Sequence, residues 1–423
     1  MKRLRVLLAG SLACVPVDPD LPAEPASSSA ATTAASTGLV DVAPTTAGAD
    51  ASTGDLTGGD ESTGHTARCG DGVPDPRDLC FHPPIKFDSG VIPVAIDDGD
   101  IDGDGLPDLA VADLFDQTIV LHRGVGAGEF IAGSVLPSFL APRGLVLADL
   151  DHDRVLDLAV ADIGINLVGT YRGDPDAPGQ FAAPKPAHAG RGPRAISAAD
   201  LDRDHLVDLV VANEASSELS VLLATGPGTF AKPVQYMVGT SPYDIVVADL
   251  DADGDLDLAA PALHQDSVNV LLATAPGVFA PAAYYPVAPG PRSIAAGDLD
   301  GDGDAELVTT SYTDDDLSIL RGRGDGSFEP DPALLPLGDG AYSLALADID
   351  HDGNLDIVGV HRDRGQVQIL RDLGPDKFPR LDSFETGGGP IDLVVADLDR
   401  DGALDVATAD SLGGTVTILR ADP

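Results

Sequence analysis

The sequence predicts an all-β chain whose folded part is a seven-bladed β-propeller with four-stranded blades, closed by an N-terminal strand and preceded by a disordered linker. Three observations lead there. A nine-residue acidic motif occurs seven times, its copies stand at a nearly constant spacing, and each copy is flanked by short apolar runs bounded by Gly, Pro and Asp. Four-stranded units repeating every forty to fifty residues or so are the mark of propeller blades.

The clearest copy of the motif reads Asp397-Leu398-Asp399-Arg400-Asp401-Gly402-Ala403-Leu404-Asp405, with acids at positions 1, 3, 5 and 9. The seven first aspartates are Asp100, Asp149, Asp200, Asp249, Asp298, Asp348 and Asp397, separated by 49, 51, 49, 49, 50 and 49 residues. An apolar run precedes each copy (Ile245-Val246-Val247-Ala248) and another follows it (Leu209-Val210-Val211-Ala212). A third run comes next, as in Val268-Asn269-Val270-Leu271-Leu272, and then a Gly-containing turn leads to a phenylalanine and a fourth extended stretch. Runs this short, rich in Val, Ile and Leu and punctuated by Gly, Pro and Asp, are poor helices and good strands.

The phenylalanines indicate how the ring closes. Phe130, Phe181, Phe230, Phe279 and Phe378 each stand 19 residues before the next first aspartate, Phe328 stands 20 before, and Phe81 stands 19 before Asp100. The last repeat ends one strand short at Pro423, so the stretch from Phe81 is expected to supply its fourth strand and cover an otherwise exposed sheet edge.

Four carboxylates within nine residues repel one another unless something positive sits among them. A hard divalent cation suits such a set, because calcium takes six to eight oxygen ligands. The motif and its period resemble the FG-GAP or VCBS repeats, best known from the β-propellers of integrin α chains, and the resemblance covers about residues 81–423. It implies up to seven calcium ions, each held by side chains from positions 1, 3, 5 and 9 with a backbone carbonyl from position 7. The ligand sets would then be Asp100, Asp102, Asp104 and Asp108; Asp149, Asp151, Asp153 and Asp157; Asp200, Asp202, Asp204 and Asp208; Asp249, Asp251, Asp253 and Asp257; Asp298, Asp300, Asp302 and Glu306; Asp348, Asp350, Asp352 and Asp356; and Asp397, Asp399, Asp401 and Asp405. These 7 × 4 = 28 acids are a large share of the 69 in the chain. An EF-hand would need flanking helices and a Glu at position twelve, and the strand-like runs exclude it. The period near 49 excludes the nonapeptide calcium repeats of β-helices.

Position 6 is Gly in five copies but Arg154 in the second and His205 in the third, so those two sites are expected to be the weaker ones if the loop needs positive φ there. Affinities of about 10⁻⁴ to 10⁻³ M, those of extracellular calcium modules, would make the ion a folding partner.

The charge of 25 − 69 = −44 excludes nucleic acid as a partner and disfavours an anionic membrane surface. Hydrophobic residues make up 43% of the chain, enough for a core, and there is no tryptophan to stack on sugars. At the N-terminus, Lys2, Arg3 and Arg5 precede a short apolar stretch, which reads as a signal peptide over residues 1–13. Ser11-Leu12-Ala13-Cys14 resembles a bacterial lipobox, implying lipidation of Cys14, with Ser11 where leucine is usual. Residues 14–68, rich in Ala, Ser, Thr, Gly and Pro, read as a disordered linker reaching about 40 Å. Residues 69–80 are bounded by Cys69 and Cys80, whose pairing is the simplest outcome in an oxidising compartment. The protein is thus expected at the bacterial cell envelope or surface, or secreted, as a monomer touching a membrane only through a lipid.

In an up-and-down blade the acidic 1→2 loops share one face with the 3→4 loops, and the 2→3 and 4→1 loops share the other. The 4→1 positions read Val94, Arg143, Arg194, Tyr243, Arg292, Tyr342 and Ile391. Arg143, Arg194, Tyr243, Arg292 and Tyr342 are expected to ring the channel mouth, where they could draw in a carboxylate, sulfate or acidic glycan or simply neutralise nearby aspartates. His264, Tyr312 and His361, near Asp314, Asp315 and Asp316, could supply a general acid and base; His152, His351 and His205 read as loop surface. No triad, zinc motif or phosphate loop occurs. The leading expectation is a surface adhesion or ligand-binding module for a surface protein or glycan. A calcium-dependent polysaccharide lyase or hydrolase is the alternative.

Overall fold

In the computed structural model, residues 79–313, 316–329, 332–336, 340–371 and 380–422 are described. The signal peptide, the linker, Cys14, Cys69 and with it the Cys69–Cys80 pairing, Asp314, Asp315 and Phe378 lie outside the described residues.

The described residues form seven antiparallel four-stranded sheets, two small two-stranded ones (Ala224–Gly226 with Thr229–Phe230, and Ala273–Ala275 with Val278–Phe279) and no helix. Blade 1 holds Pro93–Gly99, Asp108–Asp113, Thr118–Gly124 and Phe130–Pro137 in that order. Blades 2 to 6 repeat the arrangement, with first strands at Pro142–Ala148, Pro193–Ala199, Val246–Ala248, Pro291–Gly297 and Ala341–Ala347. Blade 7 takes Pro390–Ala396, Asp405–Asp410 and Thr415–Leu419 from the end of the chain and Ile85–Asp88 from its beginning.

The expected closure is therefore present. Ile85 pairs with Ile418 and Phe87 with Val416, while Phe81 bridges Ala421. The Phe81 bridge takes the place in blade 7 of the bridges that Phe181 makes to Gly173 and Phe328 to Gly322, although there it joins the two ends of the chain rather than the arms of a turn.

The second strand of every blade is buried along its whole length, which suits its runs of small and β-branched residues. The core lies between blades. Leu150, Ala159, Ala161 and Val168 of blade 2 pack on Ile196, Leu209 and Val211 of blade 3. The seam is built alike, with Ile96, Leu109 and Val111 of blade 1 against Val394, Ala407, Val416 and Ile418 of blade 7. Burying each of the Val, Leu and Ile side chains among them is worth about 1.5 to 3 kcal/mol, so the ring closes on apolar contact as well as on the ladder.

One placement differs from the sequence reading. Val94, Arg143, Arg194, Tyr342 and Ile391 are not loop residues; each is the extra residue of a bulge near the start of a first strand, and Arg292 lies within the corresponding irregularity of blade 5. A bulge re-aims a side chain without ending the strand. Alternation of apolar residues does not reveal it.

Candidate metal centres

Each acidic motif joins the first strand of its blade to the second, and its ninth residue is the first residue of that second strand. The loop is wound on its own carboxylates. The position-9 acid is buried and accepts backbone N–H groups from both sides: Asp108 from Ile101 (2.9 Å), Asp102 (3.2 Å) and Gly124 (2.8 Å), Asp208 from Leu201 (2.9 Å) and Ala224 (2.7 Å), Asp405 from Leu398 (3.0 Å) and Ala421 (2.9 Å). The position-5 acid accepts the N–H of position 7, as Leu106 to Asp104 (2.9 Å) and Ala403 to Asp401 (2.8 Å). In all seven loops one oxygen of the position-1 carboxylate accepts the N–H of position 6, from Gly105 to Asp100 (3.0 Å) through Gly402 to Asp397 (3.2 Å).

The other oxygen of position 1 is the telling one. In Asp100, Asp200, Asp249, Asp348 and Asp397 the Oδ1 is buried with no hydrogen-bond partner in the structure. A buried carboxylate oxygen left alone is costly. Acids also converge within the loops: Asp100, Asp102 and Asp108 bring one oxygen each to within 4.8 Å of one another, as do Asp149, Asp151 and Asp157, Asp200, Asp202 and Asp208, Asp249, Asp251 and Asp257, and Asp298, Asp300 and Asp302. The donor set is all hard oxygen, with an orphaned acceptor among the acids, so the residues fit a calcium ion.

The electrostatics agree. Burial, reinforced by the neighbouring carboxylates, pushes Asp157, Asp208 and Asp257 up to about 6, and Glu306 and Asp405 up to about 7. Burial and the charges of the same loop also raise Asp202 and Asp251. Carboxyls whose ionisation burial and like charge oppose are groups whose charged form a bound cation would favour.

Position 6 has positive φ in every loop, including Arg154 (73°) and His205 (72°), as the glycines there suggested. Position 4 has it too: His152 (62°), Arg203 (61°), Ala252 (59°), His351 (57°) and Arg400 (64°) with Gly103 and Gly301. That second requirement was not legible, because only two of the seven residues are glycine. His152, His205 and His351 are exposed on these loops.

Sequence reasoning also missed a set of arginines, although their spacing of 15 residues after the position-9 acid was there to be seen. Arg123 pairs with Asp102 and, at 2.8 Å, with Asp104; Arg172 pairs with Asp151 and, at 2.9 Å, with Asp153. Arg321 stands 3.6 Å from Asp300, and Arg371 lies 3.0 Å from Asp350 and 3.1 Å from Asp382. The Arg123 guanidinium holds the Asp104 carboxyl below its usual range.

Arg143, Arg194, Tyr243, Arg292 and Tyr342 are all buried, which corrects their expected placement at an open channel mouth. Arg194 Nη1 donates to Glu214 at 2.9 Å, and its guanidinium carbon lies 3.4 Å from the Tyr243 ring centroid. Arg292 sits 5.0 Å from Tyr243, 4.2 Å from Tyr312 and 3.6 Å from Tyr342. The side chains thus stack alternately as cation and ring. Tyr312 is absorbed into this stack, His361 is buried and His264 is exposed.

Residues 100–160, 200–260 and 298–359 match an FG-GAP-like repeat. No curated protein matches the sequence. Among solved structures, the chain resembles BBS1N in complex with ARL6DN, soaked with lead (TM-score 0.57, 14% identity, covering 81% of this chain and 97% of that one). It also resembles virginiamycin B lyase from Staphylococcus aureus (TM-score 0.53, 10% identity, 80% and 99% covered). A third likeness is to an Agrocybe aegerita lectin that recognises non-reducing terminal N-acetylglucosamine (TM-score 0.50, 16% identity, 80% and 85% covered). At these identities the likeness is one of fold.

Proposed function

We propose that this chain, whose FG-GAP-like repeats stand in a closed seven-bladed propeller, is an exported calcium-binding module that engages a surface protein or glycan through the face away from its acidic loops. The observation that carries the calcium reading is the buried, partnerless Oδ1 of position 1, repeated in five loops, of which those of Asp100, Asp200 and Asp249 also bring three carboxylates together. Positions 1, 3, 5 and 9 of each loop would hold the ion, which supplies the positive charge that lets these carboxylates be buried and ionised together.

Export and a lipid anchor remain proposals from the N-terminal sequence. Binding on the far face is supported by its chemistry in a chain of charge −44. Val91, Phe115, Leu140 and Leu412 are about half exposed there, from the 4→1 and 2→3 loops of blades 7, 1 and 2. Backbone contacts link those loops: Gly414 abuts Gly90, Leu114 N–H donates to Ile92 (3.0 Å) and Ser138 N–H to Gln117 (2.8 Å). Apolar groups gathered on one face mark an interaction surface.

The test is calorimetric titration of calcium into chelator-treated protein, followed by a surface-protein and glycan binding screen with and without the ion. Calcium binding, together with a partner lost on Phe115→Ser and Leu140→Ser, would support the reading. No heat of binding up to about 10 mM calcium, ten times the weakest affinity expected of extracellular modules, would refute its metal half. A screen in which capture is insensitive to Phe115→Ser and Leu140→Ser would refute its other half, and turnover of a polysaccharide would favour the enzymatic alternative.

A further inference from the structure

We infer that the acidic loops differ in whether an arginine occupies positions 3 and 5, and that the loops of blades 3 and 4 are the sites that take a divalent cation first and hold it most tightly. The inference rests on the calcium reading above and deepens it. In blades 1 and 2 the residue 15 positions after the position-9 acid, at or just past the end of the third strand, is an arginine, and its guanidinium spans positions 3 and 5 of the loop: Arg123 on Asp102 and Asp104, Arg172 on Asp151 and Asp153. In blade 6, Arg371 reaches Asp350 at 3.0 Å, and in blade 5, Arg321 stands 3.6 Å from Asp300.

At the same register blades 3 and 4 carry Leu223 and Leu272. These leucines serve the apolar contact between blades: a Cβ on Gly277 would meet Leu223 at 3.0 Å, and one on Gly326 would meet Leu272 at 2.6 Å. No guanidinium lies against Asp202, Asp204, Asp251 or Asp253 in the ion pairs of the described residues. Arg203, which belongs to the blade 3 loop, turns instead to Asp255 of blade 4 at 2.8 Å, and His205 stays 3.8 Å from Asp200.

The physical consequence is competition. A cation entering loop 1 or 2 must displace a guanidinium that bridges the carboxylates of positions 3 and 5, whereas one entering loop 3 or 4 meets position-3 and position-5 carboxylates that no guanidinium holds among the described residues. Blade 7 stands between, because Arg420 is drawn across the seam to donate to Ala127 at 2.7 Å. The division reverses the expectation that His205 makes the third site a weak one, and agrees with weakness in the second.

The experiment uses the full chain, freed of metal by chelator and titrated with calcium chloride alone by calorimetry. Two sites are expected to fill before the others. The pair Asp202→Asn and Asp251→Asn should abolish that first phase, and the pair Asp102→Asn and Asp151→Asn should leave it intact. Leu223→Arg should weaken one of the two early sites about tenfold, which corresponds to about 1.4 kcal/mol, while Leu223→Met should not. Arg172→Leu should add an early site. Should Leu223→Arg fail to fold, the asparagine pairs still decide. Seven loops filling alike, or an early phase lost with Asp102 and Asp151, would overturn the inference and leave the calcium reading standing. Absence of any calcium binding would overturn both.

Discussion

Gly228 N–H donates to the carbonyl of Leu150 at 3.0 Å, tying the 3→4 turn of blade 3 to the acidic loop of blade 2. Gly277 does the same to Leu201 at 2.9 Å. Leu150 and Leu201 are position 2 of their motifs, so the loops that would hold calcium are also the places where neighbouring blades grip one another.

Removing the ion should therefore loosen the ring as a whole. A ligand that binds only the folded state adds RT ln(1 + [L]/Kd), about 2.7 kcal/mol per site at a hundredfold excess over Kd. Calcium at 10 mM is expected to raise the Tm by several degrees over protein in chelator, and Asp200→Asn to reduce the rise. Superimposable calorimetric scans with and without the ion would contradict this.

The pH dependence should change sign with the metal. The position-9 acids have folded pKa values raised to about 6 or 7, above their unfolded values near 4. Between about pH 4 and 7 the folded state then binds more protons than the unfolded one, so metal-free stability falls as pH rises through that window. With calcium bound the carboxylates are ionised and protons compete with the ion. Melting at pH 5 and 7.5 should show chelated protein more stable at pH 5 and calcium-loaded protein more stable at pH 7.5.

Arg154 and His205 hold left-handed backbone that costs a side chain about 1 kcal/mol. Arg154→Gly and His205→Gly are each expected to stabilise the protein by about that much, and Gly303→Ala, at φ 99°, to destabilise it comparably. Denaturant midpoints with unchanged m-values would measure both.

Arg194 is wholly buried and faces Glu214. Arg194→Met takes away the guanidinium from that carboxylate and should cost about 3 to 5 kcal/mol, whereas Arg194→Met with Glu214→Leu should recover most of it. A double-mutant cycle with no coupling would show that the stack on Tyr243, rather than the ion pair, fixes the arginine.

The closing strand carries its own test. Phe87 packs on Phe130 and His122 of blade 1 with ring centroids 5.8 and 4.7 Å apart, so it joins blade 7 to blade 1 from the outer edge. Phe87→Ala should cost about 2 kcal/mol, and deleting Ile85–Asp88 should bare the edge of Thr415–Leu419 and promote aggregation, read by light scattering.

The motif spacing alone determined the number of blades, their strand order and the use of Phe81 onward to close the ring, because each rests on a period that local hydrogen bonding and apolar alternation impose wherever the chain lies. The candidate ligand carboxylates were legible for the same reason: alternate acids on a nine-residue loop converge by local geometry. Only the tertiary structure decided what surrounds them. Whether Arg123 or Leu223 stands against a loop, whether Arg143 and Arg194 look into solvent or into a packed channel, and which exposed loops share a face all depend on strands brought together from other parts of the chain. A bulge of one residue was enough to turn Arg194 inward, and no periodicity in the sequence records it.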